Sequence, residues 1–154
     1  MKRLPLLLAA AGLVLLAACS RSGVIDETAS AAAPGAAGAK SPTPARIAHG
    51  ARVNLSDWVV PGKTTIFDFT SEGCPPCRAI APKLHKLHAE RTDVVVVEVD
   101  LNRPGVHGID WHSPVAEQFS LESIPHFKVY GPNGKLRAEG DEAYGIVAGM
   151  LQGG

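Results

Sequence analysis

A strand pattern that runs directly into a helix pattern is the feature of this sequence that most restricts its fold. The strand pattern is TTIFDFT (64–70), which is rich in β-branched and aromatic residues and is followed by polar residues. The helix pattern lies in CRAIAPKLHKLHAER (77–91), where apolar residues recur at helical spacing. These apolar residues are Ile80, Leu84 and Leu87. A buried strand followed so closely by a helix indicates a fold that mixes α and β structure.

Two prolines separate Cys74 from Cys77 at the junction between these two patterns. Such a pair can bind a metal, staple the fold or carry out redox chemistry. A disulfide across so short a loop constrains the unfolded chain little, and a structural zinc site needs a second ligand pair that the sequence lacks. At the start of a helix, unpaired N–H groups and the helix dipole favour the nucleophilic thiolate of Cys74. Cys77, one turn further on, is placed to resolve a mixed disulfide, so the position favours dithiol exchange.

The rest of the chain continues to alternate between strand and helix patterns. DVVVVEVD (93–100) is almost continuously apolar and predicts a second strand that is buried on both faces. SPVAEQF (113–119) predicts a short helix. The remaining segments are a hairpin around GPNG, with strands at 126–130 and 136–139, and a final helix at about 141–151. This order predicts an α/β fold with a central mixed sheet flanked by helices on both faces.

Four features of the chain from about residue 52 onward resemble the thioredoxin superfamily. They are the CPPC motif at 74–77, Ala81-Pro82 in the helix behind it, Asp68 six residues before the first cysteine, and Ser123-Ile124-Pro125 before a later strand. The resemblance implies the thioredoxin fold. It also implies a thiol-disulfide oxidoreductase that acts on protein thiols or disulfides and needs no bound cofactor.

The resemblance assigns roles to individual residues as well. Cys74 would attack, Cys77 would resolve, and the two would form the redox-active disulfide. Asp68 would lie buried beneath that disulfide, where burial raises the pKa of a carboxyl group and lets it take the proton of Cys77. Pro125 would follow a cis peptide bond and would shape the substrate groove together with Ile124.

Three residues depart from the family pattern. Gly73 stands where thioredoxins have a tryptophan, which removes a bulky lid from the predicted substrate groove. Glu98 stands where a lysine is usual, and beside Asp68 it would form a carboxylate pair with one member protonated near neutral pH. His126, also in the predicted groove, replaces a threonine. It is either a partly exposed residue at a strand end, or a neighbour of Cys74 that lowers the pKa of that thiol or adds a ligand for a soft metal.

Charge and the other histidines give little sign of a partner. The chain has 15 basic and 15 acidic residues and no basic patch, which argues against nucleic acid as a partner. His85 and His88 lie three residues apart in the predicted helix, without a third ligand nearby. We therefore expect both histidines to lie on a solvated face.

The amino terminus has the pattern of an export signal. Positive charge at Lys2 and Arg3 is followed by an apolar run from Leu4 to Ala18, a length that suits a signal peptide and is too short to span a membrane. The run ends in LAAC (16–19), which resembles the lipobox of bacterial lipoproteins. Residues 1–18 are thus predicted to be a lipoprotein signal peptide, with Cys19 as the lipidated residue. In a Gram-negative bacterium this resemblance implies that Ser20, directly after the cysteine, favours sorting to the outer membrane, so we expect an exported, periplasm-facing lipoprotein anchored to the outer membrane.

Residues 19–48 are predicted to form a flexible tether. They are rich in Ala, Gly, Ser, Thr and Pro and lack a large apolar residue between Ile25 and Ile47, so they cannot bury enough surface to offset their ordering entropy. One domain remains, the thioredoxin-like domain at residues 49–154.

Two functions from different classes follow. The first is a thiol-disulfide oxidoreductase of the cell envelope, served by an unidentified electron donor or acceptor. The intervening prolines have no N–H group that could donate a hydrogen bond to the thiolate. Their presence therefore favours a reductant. The alternative is a module that binds or delivers Cu(I) through Cys74, Cys77 and His126.

Overall fold

The computed structural model describes residues 40–153. The predicted signal peptide, Cys19 and the tether up to residue 39 lie outside the described residues. The strands are β1 (Ala45–Ile47), β2 (Thr64–Thr70), β3 (Val94–Asp100), β4 (His126–Tyr130) and β5 (Leu136–Glu139). The helices are α1 (Pro75–Glu90), α2 (Pro114–Gln118) and α3 (Asp141–Gln152), with a 3-10 turn at Leu55–Trp58. None of the helices in this part of the chain combines the length and the apolar character needed to cross a membrane.

The strands form one mixed sheet in the order β1-β3-β2-β4-β5. β3 pairs in parallel with both β1 and β2, whereas β4 is antiparallel to β2 and β5 is antiparallel to β4. Because helices cover both faces of the sheet, all seven residues of β3 are buried, as the apolar run predicted. The predicted α/β architecture is confirmed.

Side chains of each central strand alternate between two apolar layers. Phe67 and Phe69 of β2 face the layer that contains Val115 of α2. Ile66 of the same strand faces the opposite layer with Leu84 of α1. Residues of β2 and β3 that share the parity of Ile66 therefore lie beneath α1, the helix that begins immediately after the first cysteine.

The predicted tether is wrong at its carboxyl-terminal end, because residues 45–47 form strand β1. Ala45 and Ile47 pair with Val97 and Val99 of β3, and Ile47 is buried in the core. A strand of three residues is too short to show a period in the sequence. It exists because the edge of β3 offers unpaired backbone groups, so its cause lies about fifty residues away in the chain.

His88 is buried, which corrects the expectation of a solvated face. Its Nδ1 atom accepts a hydrogen bond from the N–H group of Val96 at 2.9 Å, and its Nε2 atom donates to the carbonyl oxygen of Ser41 at 2.9 Å. This arrangement requires the neutral ring, and burial lowers the pKa of His88 accordingly. His88 lies one turn after Leu84 and next to Leu87, so it belongs to the buried stripe of α1.

Candidate active site

The cysteine pair lies at the amino-terminal end of α1, as predicted. Cys74 is the N-cap of the helix and is joined to Cys77 by a disulfide, with the two Cα atoms 5.3 Å apart. The prolines between them occupy the first helical positions and donate no hydrogen bonds. The N–H group of Cys77 donates to the sulfur of Cys74 at 3.2 Å. One backbone donor and the helix dipole therefore act on the sulfur that the sequence identified as the attacking atom.

Both cysteines are buried, each with 1% of its surface exposed. The Ile124–Pro125 peptide bond beside them is cis, as expected, and the carbonyl oxygen of Ile124 lies 3.8 Å from the sulfur of Cys74. The disulfide is therefore almost fully covered, and the carbonyl group before the cis bond lies against the sulfur of Cys74.

Asp68 lies beneath α1 with no measurable exposure. It has the parity of Ile66, two residues earlier in β2, and neither of its carboxylate oxygens has a hydrogen-bond partner. The pKa of Asp68 is raised from 3.8 to about 7, first by burial and then by the negative charge of Glu98, while Arg46 opposes the rise. A carboxyl group with this pKa can both accept and return a proton at neutral pH, as a general acid-base residue must.

Glu98 lies directly beside Asp68, which is the arrangement in which the two would form a carboxylate pair. The parallel register of β2 and β3 pairs the two residues, and the side chain of Glu98 is 9% exposed. Its carboxylate has partners that Asp68 lacks, because Nε2 of His85 lies 2.7 Å from Oε1 and a guanidinium nitrogen of Arg46 lies 3.7 Å from Oε2. Of the two carboxyl groups, Glu98 is thus the one whose charge is compensated.

Gly73 is required by the close approach of another loop. A Cβ atom at this position would overlap the carbonyl group of Gly108, which itself has a φ of 89°, a left-handed conformation that favours glycine. The hydroxyl group of Ser71 donates to the same carbonyl oxygen at 2.9 Å. The loop at 101–112 therefore packs against the position at which thioredoxins carry a tryptophan.

This loop is held in shape by its own polar contacts. The guanidinium group of Arg103 forms a bidentate salt bridge with the carboxylate of Asp110, at 2.7 and 2.9 Å. The side-chain amide of Asn102 donates hydrogen bonds to the carbonyl oxygens of Val106 and Gly108. Between the loop and Glu72 lies a cavity of about 520 Å³. The loop that packs against this position is thus held by its own hydrogen bonds and has an open polar cavity beside it.

His126 contacts neighbours other than the cysteines. Its ring packs edge-on against Phe69, and its Nε2 atom lies 3.5 Å from a carboxylate oxygen of Glu139 without a well-formed hydrogen bond. Burial lowers the pKa of His126, with Glu139 opposing the shift. A neutral ring with these contacts does not supply a cation to the thiolate of Cys74.

No group of three or more histidine, cysteine, aspartate or glutamate side chains within residues 40–153 is arranged to hold a metal ion. The Cu(I) alternative through Cys74, Cys77 and His126 stays a prediction.

The fold and the disulfide at the start of α1 define a thioredoxin-type domain. A sequence profile of the family described as Thioredoxin matches residues 51–148, which is more than half of the chain. The chain belongs to the thioredoxin family.

Individual relatives agree with this assignment. The chain is 35% identical to thioredoxin H3 of Arabidopsis thaliana over 75 residues, which are 49% of this chain and 56% of that protein. It is 35% identical to thioredoxin-3 of Dictyostelium discoideum over 71 residues, 46% of this chain and 61% of that protein. The chain thus spans little more than half the length of these curated relatives.

Solved structures show the same fold. The long form of thioredoxin f from spinach chloroplast superposes with a TM-score of 0.51 at 23% identity, covering 75% of this chain and 88% of that one. Thioredoxin from Trypanosoma brucei brucei superposes with a TM-score of 0.52 at 19% identity, covering 75% and 93%. The predicted thioredoxin fold is confirmed.

Two groups around the site were missed by the sequence analysis. Arg46 was assigned to the tether, and only the register of β1 brings it near Glu98. The contact between Gly73 and Gly108 joins backbone segments that no side-chain pattern links. The glycine at position 73, where thioredoxins have a tryptophan, was the available signal in the sequence.

Replacing Asp68 with asparagine should change how stability depends on pH. The folded-state pKa is about 7 against 3.8 when exposed, so the wild type binds this proton more tightly when folded and loses stability as the pH rises between these values. The Asp68→Asn variant lacks this loss. Urea unfolding of the oxidised proteins should therefore show the variant gaining about 4 kcal/mol relative to the wild type from pH 4 to pH 8. Glu142→Gln, at an exposed position of α3, should show no such gain, and a pH-independent difference for Asp68→Asn would contradict the buried carboxyl.

Adding a single methyl group at Gly73 should destabilise the protein. The Cβ atom of Gly73→Ala overlaps the Gly108 carbonyl group and must displace the loop, at a cost of about 1–3 kcal/mol in the free energy of unfolding. Gly145→Ala is the matched control, because its Cβ atom meets no atom within 4 Å on α3, and it should stabilise by up to about 1 kcal/mol. Equal effects of the two substitutions would show that the loop does not rest on Gly73.

Proposed function

We propose that this protein is a thiol-disulfide oxidoreductase that exchanges disulfides with protein substrates and acts mainly as a reductant. The observation that carries the proposal is the Cys74–Cys77 pair at the start of α1, with Asp68 buried beneath the same helix and the cis Ile124–Pro125 bond beside the sulfur. Membership of the thioredoxin family supports it.

The reaction proceeds in two exchange steps. The thiolate of Cys74 attacks one sulfur of a substrate disulfide, forming a mixed disulfide and releasing the other substrate sulfur as a thiolate. Cys77 then passes its proton to the carboxylate of Asp68, and its thiolate attacks the sulfur of Cys74. This step releases the second substrate thiolate and forms the Cys74–Cys77 disulfide, so two electrons move from the protein to the substrate.

The direction is inferred from how little stabilises the thiolate. Strong oxidants of this type keep their reduced form stable by stabilising a thiolate. Here the two prolines donate no hydrogen bond, one N–H group reaches the sulfur of Cys74, and the neutral ring of His126 adds no positive charge. A poorly stabilised thiolate favours the disulfide form of the protein and hence the reduction of substrates.

We further propose that the protein works in the cell envelope as a lipoprotein anchored to the outer membrane. The support is the lipobox-like LAAC at 16–19 followed by Ser20. An electron donor that reduces the Cys74–Cys77 disulfide again is required for turnover.

Insulin reduction by dithiothreitol tests the activity. The full-length protein should accelerate the reaction, Cys74→Ser should abolish the acceleration, and Cys77→Ser should accumulate a covalent mixed disulfide with insulin that Cys74→Ser does not form. Cys19→Ser is the matched control, because it removes the remaining cysteine of the sequence and should leave the acceleration unchanged. Acceleration that survives in Cys74→Ser would contradict the proposed function.

A further inference from the structure

Three charged or titratable residues form one row across neighbouring strands beneath α1. The sheet register pairs Arg46 of β1 with Glu98 of β3, and Glu98 with Asp68 of β2. Their neighbours Ile47 and Phe67 belong to the apolar layer on the opposite face, so the three side chains of the row share the face that α1 covers. Because adjacent strands lie about 4.8 Å apart, each member of the row is within reach of the next.

Glu98 is held in place from two sides. His85, on α1 and partly exposed, lies with its Nε2 atom 2.7 Å from one oxygen of Glu98, and Arg46 lies 3.7 Å from the other oxygen. Arg46 is shared further with Asp100 at 3.1 Å and with Glu72 at 3.8 Å. The carboxylate of Glu98 is therefore fixed, and its negative charge lies beside an Asp68 that has no hydrogen-bond partner.

The groups that face Asp68 come from each element packed around it. α1 contributes His85 through its contact with Glu98, β3 contributes Glu98, and β1 contributes Arg46 through the row. The antiparallel neighbour β4 presents the apolar Phe127, whose ring contacts Tyr144 of α3. Within the described residues the nearest charges along the row are thus one carboxylate and, beyond it, one guanidinium group.

We propose that Glu98 and Arg46 are positioning residues that set, in opposite directions, the pH at which Asp68 exchanges the proton of Cys77. Glu98 favours the protonated form of Asp68, because two negative charges so close in a buried layer repel each other. Arg46 favours the ionised form, because a cation at the end of the row attracts that charge. The raised pKa of Asp68 has both contributions with these signs. The inference rests on the proposed function only in taking Cys77 as the proton donor.

The experiment follows the carboxyl carbon of Asp68 by ¹³C NMR as the pH is varied, in the full-length protein with the disulfide formed. Glu98→Gln should lower the pH at which Asp68 titrates by about one unit, a tenfold change in proton affinity, and Arg46→Gln should raise it. Glu139→Gln makes the same chemical change on β5 outside this row and should leave the titration where it is in the wild type.

A purely structural role of Glu98 and Arg46 would not shift the titration of Asp68 in opposite directions in the two variants. If Arg46→Gln does not fold, Arg46→Lys keeps the positive charge, and the titration of Asp68 in that variant should stay close to that of the wild type. Shifts of the same sign in Glu98→Gln and Arg46→Gln, or no shift in Glu98→Gln, would overturn the proposal. The titration does not depend on insulin reduction. Loss of activity with opposite shifts therefore counts only against the proposed function, and normal activity without shifts counts only against this inference.

Discussion

Asp68 places a carboxyl group with no hydrogen-bond partner in the layer between the sheet and the helix that carries both cysteines. Burying an ionised carboxylate in this way is costly, so the group holds its proton up to about neutral pH. The charges around it depend on the same layer. Glu98 at its side is within hydrogen-bond distance of His85 and lies near the guanidinium group of Arg46, which strand β1 brings to that position. The short edge strand β1 therefore extends the sheet and also supplies a positive charge to the site.

The surroundings of the two sulfur atoms are set at the amino-terminal end of α1. Pro75 and Pro76 start the helix but remove two donors that would otherwise stabilise a thiolate, which leaves the N–H group of Cys77 acting on Cys74. Above them, Gly73 lets the loop at 101–112 pack closely, where a larger residue would overlap Gly108. The result is a disulfide that is almost fully covered, with the carboxyl group of Asp68 buried under the same helix and a polar cavity beside Gly73.

Local patterns were enough to predict the strands and the helix that position the cysteine pair. The apolar runs of β2 and β3 and the periodicity of α1 fixed the position of the cysteines, and the resemblance to a known family led to Asp68 and the cis bond before Pro125. β1 escaped detection because three residues carry no period. The loop contact at Gly73 depends on two backbone segments that meet only in the fold. His88 was misjudged as exposed although it continues the buried stripe of α1.

The reduction potential of the Cys74–Cys77 couple tests the account most directly, because it measures the balance between disulfide and thiolate that the surroundings set. Equilibration of the full-length Cys19→Ser protein with dithiol buffers of known potential, followed by quantification of free thiols, gives this value. We expect a single two-electron transition, with a midpoint potential closer to that of thioredoxin, about −270 mV, than to that of the oxidant DsbA, about −120 mV. A potential near −120 mV would contradict the proposed direction, and the absence of a reversible transition would contradict the redox function itself.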